Sequence, residues 1–232
     1  MDSLKEIEKQ IFDKRFEWSK IDKGKALENT HVLDLVRESC LIESYFGVYV
    51  GHMIEMFWYD LEATSMFTIE AFEAYTHYYI LRKYLAVVGY KEIFDDEIIQ
   101  LRENDRDRKY NDEIKELVNF MATEHFAANF FKDLSDLATE PILKKILLVL
   151  SDQEVVHSQF AFDLLSKRLK KNPEIKDKIL NFAKDFQHVG AYVLPAVSKV
   201  KEDNLKIIQS FNKKVANLVG ESVSENLTRK TM

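Results

Sequence analysis

Residues 147–164 read LLVLSDQEVVHSQFAFDL. Leu147, Leu150, Ala161 and Leu164 fall on one side of a helix, at the spacing of a face packed into a core. Glu154 and His157 interrupt that face. They stand three residues apart, so both point the way the leucines point. A carboxylate carried into an apolar interior must be paired or neutralised for the chain to fold. The helix starts at Glu140-Pro141, because proline suits the first helical turn, and it runs to about residue 170.

Three further long helical patterns precede it. The first spans about 31–61, with the stripe Leu33, Val36, Cys40, Gly47, Val50, Ile54, Phe57 and Leu61, and Glu43 sits on that stripe. The second starts near Thr64 or Ser65, either a suitable cap, and ends by Gly89. Its stripe includes Met66, Ile69, Ile80, Tyr84 and Val87, and it carries Glu73 followed one turn later by His77. The third spans about 111–137, with Leu117, Phe120, Phe131 and Leu134 inward and Glu124 among them. Glu43 and Glu73 are 30 residues apart in sequence, as are Glu124 and Glu154. Two helix pairs therefore repeat one layout, a Glu and then a Glu with a His.

Only 6 Gly and 3 Pro occur in 232 residues, which favours long helices over a many-turned β fold. The expected fold is all-α: a four-helix core over about 31–170, with accessory helices at about 3–20 and 173–218, in a single domain covering 1–232. The N-terminal helix is expected to break at KIDKGK near Gly24. The polar stretch 90–110 reads as a crossover with room for a short helix. Asn172-Pro173-Glu174 opens a helix to about residue 188, and a last amphipathic helix spans about 195–218. The formal net charge of -6 argues against a nucleic-acid binder. A lone cysteine, Cys40, forbids an intrachain disulfide and fits a reducing compartment. No signal-peptide pattern opens the chain and no apolar run approaches a membrane span, so no membrane partner and a cytoplasmic location are expected.

Four Glu converging on one core repel one another, and two divalent cations resolve the conflict. Carboxylate oxygen and imidazole nitrogen suit iron or manganese, and an open position leaves room for dioxygen. The expected ligands are Glu43, Glu73, His77, Glu124, Glu154 and His157, with Glu70 in reserve because Glu73 precedes His77 by four residues rather than three. Glu38, His52 and Glu55 fall off the first stripe. His125 points about 100° from Glu124 and is set aside. The runs at 102–109 and 167–171 are basic enough to dock an acidic partner, although solvated charge is their commoner meaning.

With those residues placed, the sequence resembles the soluble acyl carrier protein desaturases of the ferritin-like di-iron superfamily. YYILRKYL after His77 is similar to the family's second ligand helix, Glu154-Val-Val-His157 to its Glu-x-x-His, and NFAKDFQHVGAYVLPA to the helix that follows. The resemblance covers about residues 35–197. It implies two iron ions (manganese being an alternative at one position), dioxygen as co-substrate and an acyl chain on a carrier protein as substrate. It also implies a ferredoxin-like electron donor and a homodimer. The chain departs from the family in its second-helix spacing, in having Ala127 and Ala128 where a threonine is placed near dioxygen, and in its shorter length. Three other readings use the same residues: an oxygenase of an amine or modified nucleobase, a non-catalytic iron-storage or metal-sensing bundle, and a metal-free bundle whose buried Glu are satisfied by Lys, Tyr or water.

Overall fold

The computed structural model describes residues 2–192 and 205–220, and every regular element among them is helical. The helices are α1 (Asp2–Phe12), α2 (Lys23–Leu27), α3 (Thr30–Met56), α4 (Leu61–Val88), α5 (Asp95–Glu103), α6 (Glu113–Leu137), α7 (Pro141–Lys171), α8 (Lys176–Lys184) and α9 (Leu205–Val219). No helix among the described residues is long and apolar enough to cross a membrane. The expected helix start at Pro195 lies outside the described residues.

Four long helices enclose the core, with α3 packed along α4 and α6 along α7. Contacts at their ends fix the directions. Tyr84, late in α4, donates to Glu140 beside the start of α7 at 3.2 Å. Arg168, late in α7, donates to Asp60 beside the start of α4 at 2.9 Å. These two helices are therefore antiparallel. Asn29, ahead of α3, reaches the Leu137 carbonyl at the end of α6, and Tyr49 on α3 reaches Glu116 early in α6, so this pair is antiparallel too. The order is up, down, down, up, and the chain from 89 to 112 must travel the length of the core. It carries α5, which Arg37–Glu97 (2.5 Å) and Arg102 to the Ser44 carbonyl (2.6 Å) hold against α3.

Several boundaries differ from expectation. The first long helix stops at Met56, and Leu61, expected on its inner stripe, opens α4 and is 81% exposed. The cap of α4 is Asp60, whose side chain accepts from Ala63 N–H at 3.1 Å. Thr64 and Ser65, expected as caps, instead turn their hydroxyls back onto carbonyls of the preceding turn. At the far end Gly89 (φ 76°) lets the Tyr90 N–H close on the Leu85 carbonyl. The N-terminal helix ends at Phe12, and Gly24 lies inside α2, which Asp22 caps. The helix after Pro173 ends at Lys184, short of residue 188. The start of α7 at Pro141 is as expected, with the Glu140 carboxylate accepting from Leu143 N–H at 2.7 Å.

The buried residues of α4 include the row Ala63, Phe67, Glu70, Ala74, His77, Leu81, Tyr84 and Val88, alternating steps of four and three, with Thr76, Ile80 and Leu85 beside it. Met66 and Ile69 were expected on that face, yet Ile69 is 52% exposed. One turn from the buried carboxylates, Phe120 packs against both Phe46 and Phe67, meeting Phe67 edge-on at 5.3 Å. This aromatic layer closes one end of the polar core. Cys40, Leu81 and Leu150, all buried, lie on the other side of it along their helices.

Candidate metal centre

Glu43 on α3, Glu70 and His77 on α4, Glu124 on α6, and Glu154 and His157 on α7 are all buried, none more than 8% exposed. Their ligand atoms form two groups. Glu43, His77 and Glu154 make one; Glu70, Glu124, Glu154 and His157 make the other. Within each group the atoms lie within 4.8 Å of one another. Glu154 belongs to both. Its Oε1 is 3.0 Å from His77 Nδ1 and its Oε2 is 2.6 Å from His157 Nδ1. Glu43 Oε2 is 3.6 Å from His77 Nδ1, and Glu70 Oε2 is 2.8 Å from His157 Nδ1.

The structure thus brings five of the six expected ligands together and adds Glu70. Glu73 stands outside both groups: Glu70, held in reserve, takes the place expected for it. Helical geometry explains the exchange. Seven residues, from Glu70 to His77, come within about 20° of two full turns, whereas Glu73 is rotated about 60° from Glu70. Glu70 and His77 therefore lie on one line facing the core, and each reaches a different group. Glu73 sits at the helix edge with its side chain 26% exposed, and its Oε2 accepts from His157 Nε2 at 2.5 Å. Gln153, unremarked in the sequence, donates to Glu73 Oε1 at 2.8 Å and faces His77 Nε2 at 3.1 Å.

Electrostatics divide the carboxylates. Burial raises Glu154, but the imidazoliums of His77 and His157 outweigh it and hold it well below the usual range. Burial pushes Glu43 up to about 7, with His77 pulling back. Burial also raises Glu70, against the pull of His157. Glu124 is driven well up by burial and by the charges of Glu154 and Glu70. Burial alone would lower both histidines; Glu154 and Glu43 raise His77 well above normal, and Glu70 and Glu154 do the same for His157. Without cations, both imidazoles favour the protonated form beside an ionised Glu154, while burial favours the neutral form of Glu124.

Those pairings leave loose ends. Glu70 Oε2, Glu124 Oε1 and His77 Nδ1 are buried and make no hydrogen bond. Glu70 Oε2 is close to His157 Nδ1, but the hydrogen there is directed to Glu154. Buried ligand atoms that converge yet are not all satisfied by one another fit a cation that would displace their protons, and oxygen with imidazole nitrogen suits a first-row divalent metal.

The remaining candidates lie elsewhere. His125 bonds Ser210 on α9 at 2.8 Å, away from the groups. Glu38 and Glu55 are exposed. Arg168 pairs with Asp60, Lys167 with Glu62, and Arg108 with Glu116, so much of both basic runs ties helices together. A cleft of about 670 Å³ lies where α3 turns into α4, lined by Tyr59, Leu61 and Arg168 among others.

No family model, no curated protein and no solved structure matches this chain.

Proposed function

We propose that the chain binds two divalent cations, iron in the working protein, in a ferritin-like four-helix bundle, and uses them with dioxygen to oxidise a substrate. What carries the reading is the convergence of six buried ligand side chains into two adjoining groups, with three of their polar atoms buried and unbonded. Glu43 and His77 would hold one cation, and Glu70, Glu124 and His157 the other. Glu154 would span both through its two oxygens.

Iron held there supplies electrons and open coordination positions for dioxygen. The chain does the rest. The Phe46–Phe67–Phe120 layer and the apolar side chains opposite exclude water, so the ligand charges act in a medium of low dielectric. Glu154, common to both groups, would contribute an oxygen to each position. The apolar surroundings favour a hydrocarbon substrate, and the resemblance to acyl carrier protein desaturases points to an acyl chain on a carrier. Electrons would come from a ferredoxin-like donor, and a homodimer belongs to the same reading. The test is to load the protein with ferrous iron, supply reductant and acyl carrier protein charged with a saturated chain, and follow oxygen uptake and acyl mass. Loss of two hydrogens or gain of one oxygen on the chain is expected. Iron-loaded protein that consumes no dioxygen would restrict it to metal binding.

Proton release gives a test that does not depend on substrate. Cations must displace the Nδ1 protons of both imidazoliums, the proton of Glu124 and part of that on Glu43. Loading two cations near neutral pH is expected to release about three to four protons per chain. These groups hold their protons more firmly than usual, so affinity falls as pH falls, by more than about tenfold per pH unit at each position. Calorimetric titration in buffers of different ionisation enthalpy measures the number; release of fewer than about one proton would contradict the assignment.

A further inference from the structure

Gln153 and Glu73 link the outer nitrogens of the two histidines in one unbroken line. His77 Nε2 is 3.1 Å from Gln153 Oε1, Gln153 Nε2 is 2.8 Å from Glu73 Oε1, and Glu73 Oε2 is 2.5 Å from His157 Nε2. Chemistry fixes every proton along it. An ionised carboxylate only accepts, so the Gln153 amide must turn its NH2 toward Glu73 and its oxygen toward His77. The oxygen also only accepts, so His77 must carry hydrogen on Nε2. His157 Nε2 faces the same carboxylate and must carry hydrogen as well. Both rings are thereby left with Nδ1 directed at the ligand groups.

We propose that Gln153 and Glu73 are positioning residues that set both imidazoles in the Nε2–H tautomer, so that each meets its cation through Nδ1, and that they tie the two cation positions into one unit. This rests on the two-cation reading above. A carboxylate accepting from the far N–H of a ligand histidine orients the ring and raises its basicity. Here one carboxylate serves His157 directly and His77 through an amide. The two residues act unequally as a result. Losing Gln153 frees His77 alone. Glu73→Gln replaces an acceptor-only group by one that can also donate, so Gln153 can flip its amide, and both rings lose their fixed tautomer.

The line lies at the edge of the core. Gln153 is half-buried and the Glu73 side chain is 26% exposed. Substitutions there leave the apolar layers intact, and thermal melting checks that they do.

The test uses the full chain loaded with zinc, which is diamagnetic. Long-range nitrogen–proton NMR spectra of the imidazoles report which nitrogen carries hydrogen and which the metal, and zinc affinity is measured alongside. In the wild type, both histidines are expected to show Nε2–H with zinc on Nδ1. Gln153→Leu is expected to disturb the His77 pattern only and to weaken zinc binding about 10–100-fold at one position. Glu73→Gln is expected to disturb both patterns and weaken both positions. Coordination through Nε2 in the wild type, or unchanged spectra and affinities in both variants, would overturn the proposal while leaving the metal site standing. A wild type that retains no zinc would instead remove the two-cation reading, and this proposal with it.

Discussion

Glu154→Ala is expected to lose nearly all bound iron, falling below about a tenth of the wild-type content. Glu154 is the one carboxylate common to both groups, with one oxygen toward each histidine. Altering a residue that merely orients a ligand typically costs 10–100-fold in affinity. Removing a ligand shared by two cations must cost more, because each position loses a donor and the link between them goes as well. Without cations the same change removes the principal counter-charge of His77 and one of those on His157, with the two ring centroids 6.2 Å apart. Removing one partner of a buried ionic set is destabilising by about 3–5 kcal/mol. The variant should therefore unfold earlier in urea as well as bind less iron. Glu38→Ala, an exposed acidic position on α3 five residues before Glu43, is the control and should change neither property. Iron retention near the wild-type level in Glu154→Ala would count heavily against the site.

Glu124→Leu is expected to act in opposite directions with and without cations. In the cation-free protein Glu124 is 2% exposed, is kept protonated by burial and by the charges of Glu154 and Glu70, and leaves Oε1 unbonded. A buried polar atom without a partner costs about 1–3 kcal/mol, and an apolar side chain of similar volume avoids that cost. Cation-free Glu124→Leu should therefore be more stable than the wild type by about that amount. With iron supplied, the second position lacks a ligand and the content should fall toward about one per chain. Urea unfolding in chelator, paired with iron analysis, measures both effects. A ligand side chain held at the expense of the empty fold gives this crossed result. A carboxylate kept for structural hydrogen bonding would give a less stable variant under both conditions.

The four long helices were legible because few glycines and prolines interrupt them and each repeats apolar residues at helical spacing. Glu43, Glu124, Glu154 and His157 could be picked out because each sits on a face whose other members are plainly core, such as Cys40, Phe131 and Leu150. Glu70 was obscured because α4 is apolar on more than one side. Met66, Ile69 and Phe72 make a second stripe as hydrophobic as Ala63, Phe67 and Ala74. Part of that second side lies under α1, where Phe12 meets Phe72 at 5.9 Å. A contact between segments so far apart in sequence leaves no periodic trace. The regular alternation of four and three through Ala63, Phe67, Glu70, Ala74 and His77 was the available signal, and it separates Glu70 from Glu73. Gln153 gave none, since a glutamine at the edge of a helix face is ordinary and its meaning depends on Glu73 and both histidines. The end of α3 is hidden in the sequence because Leu61 continues the apolar spacing, while Asp60 can cap only once the chain has turned.

Everything proposed for this chain depends on paired cations among the carboxylates of α3, α4, α6 and α7. The most direct measurement is the iron content of the wild-type protein after anaerobic loading with ferrous iron and removal of unbound metal. About two irons per chain, with a melting temperature above that of the chelator-treated protein, is the result this account predicts. Protein that comes through loading with no iron and an unchanged melting temperature would contradict it, and would leave a helical core held by imidazolium–carboxylate pairs alone.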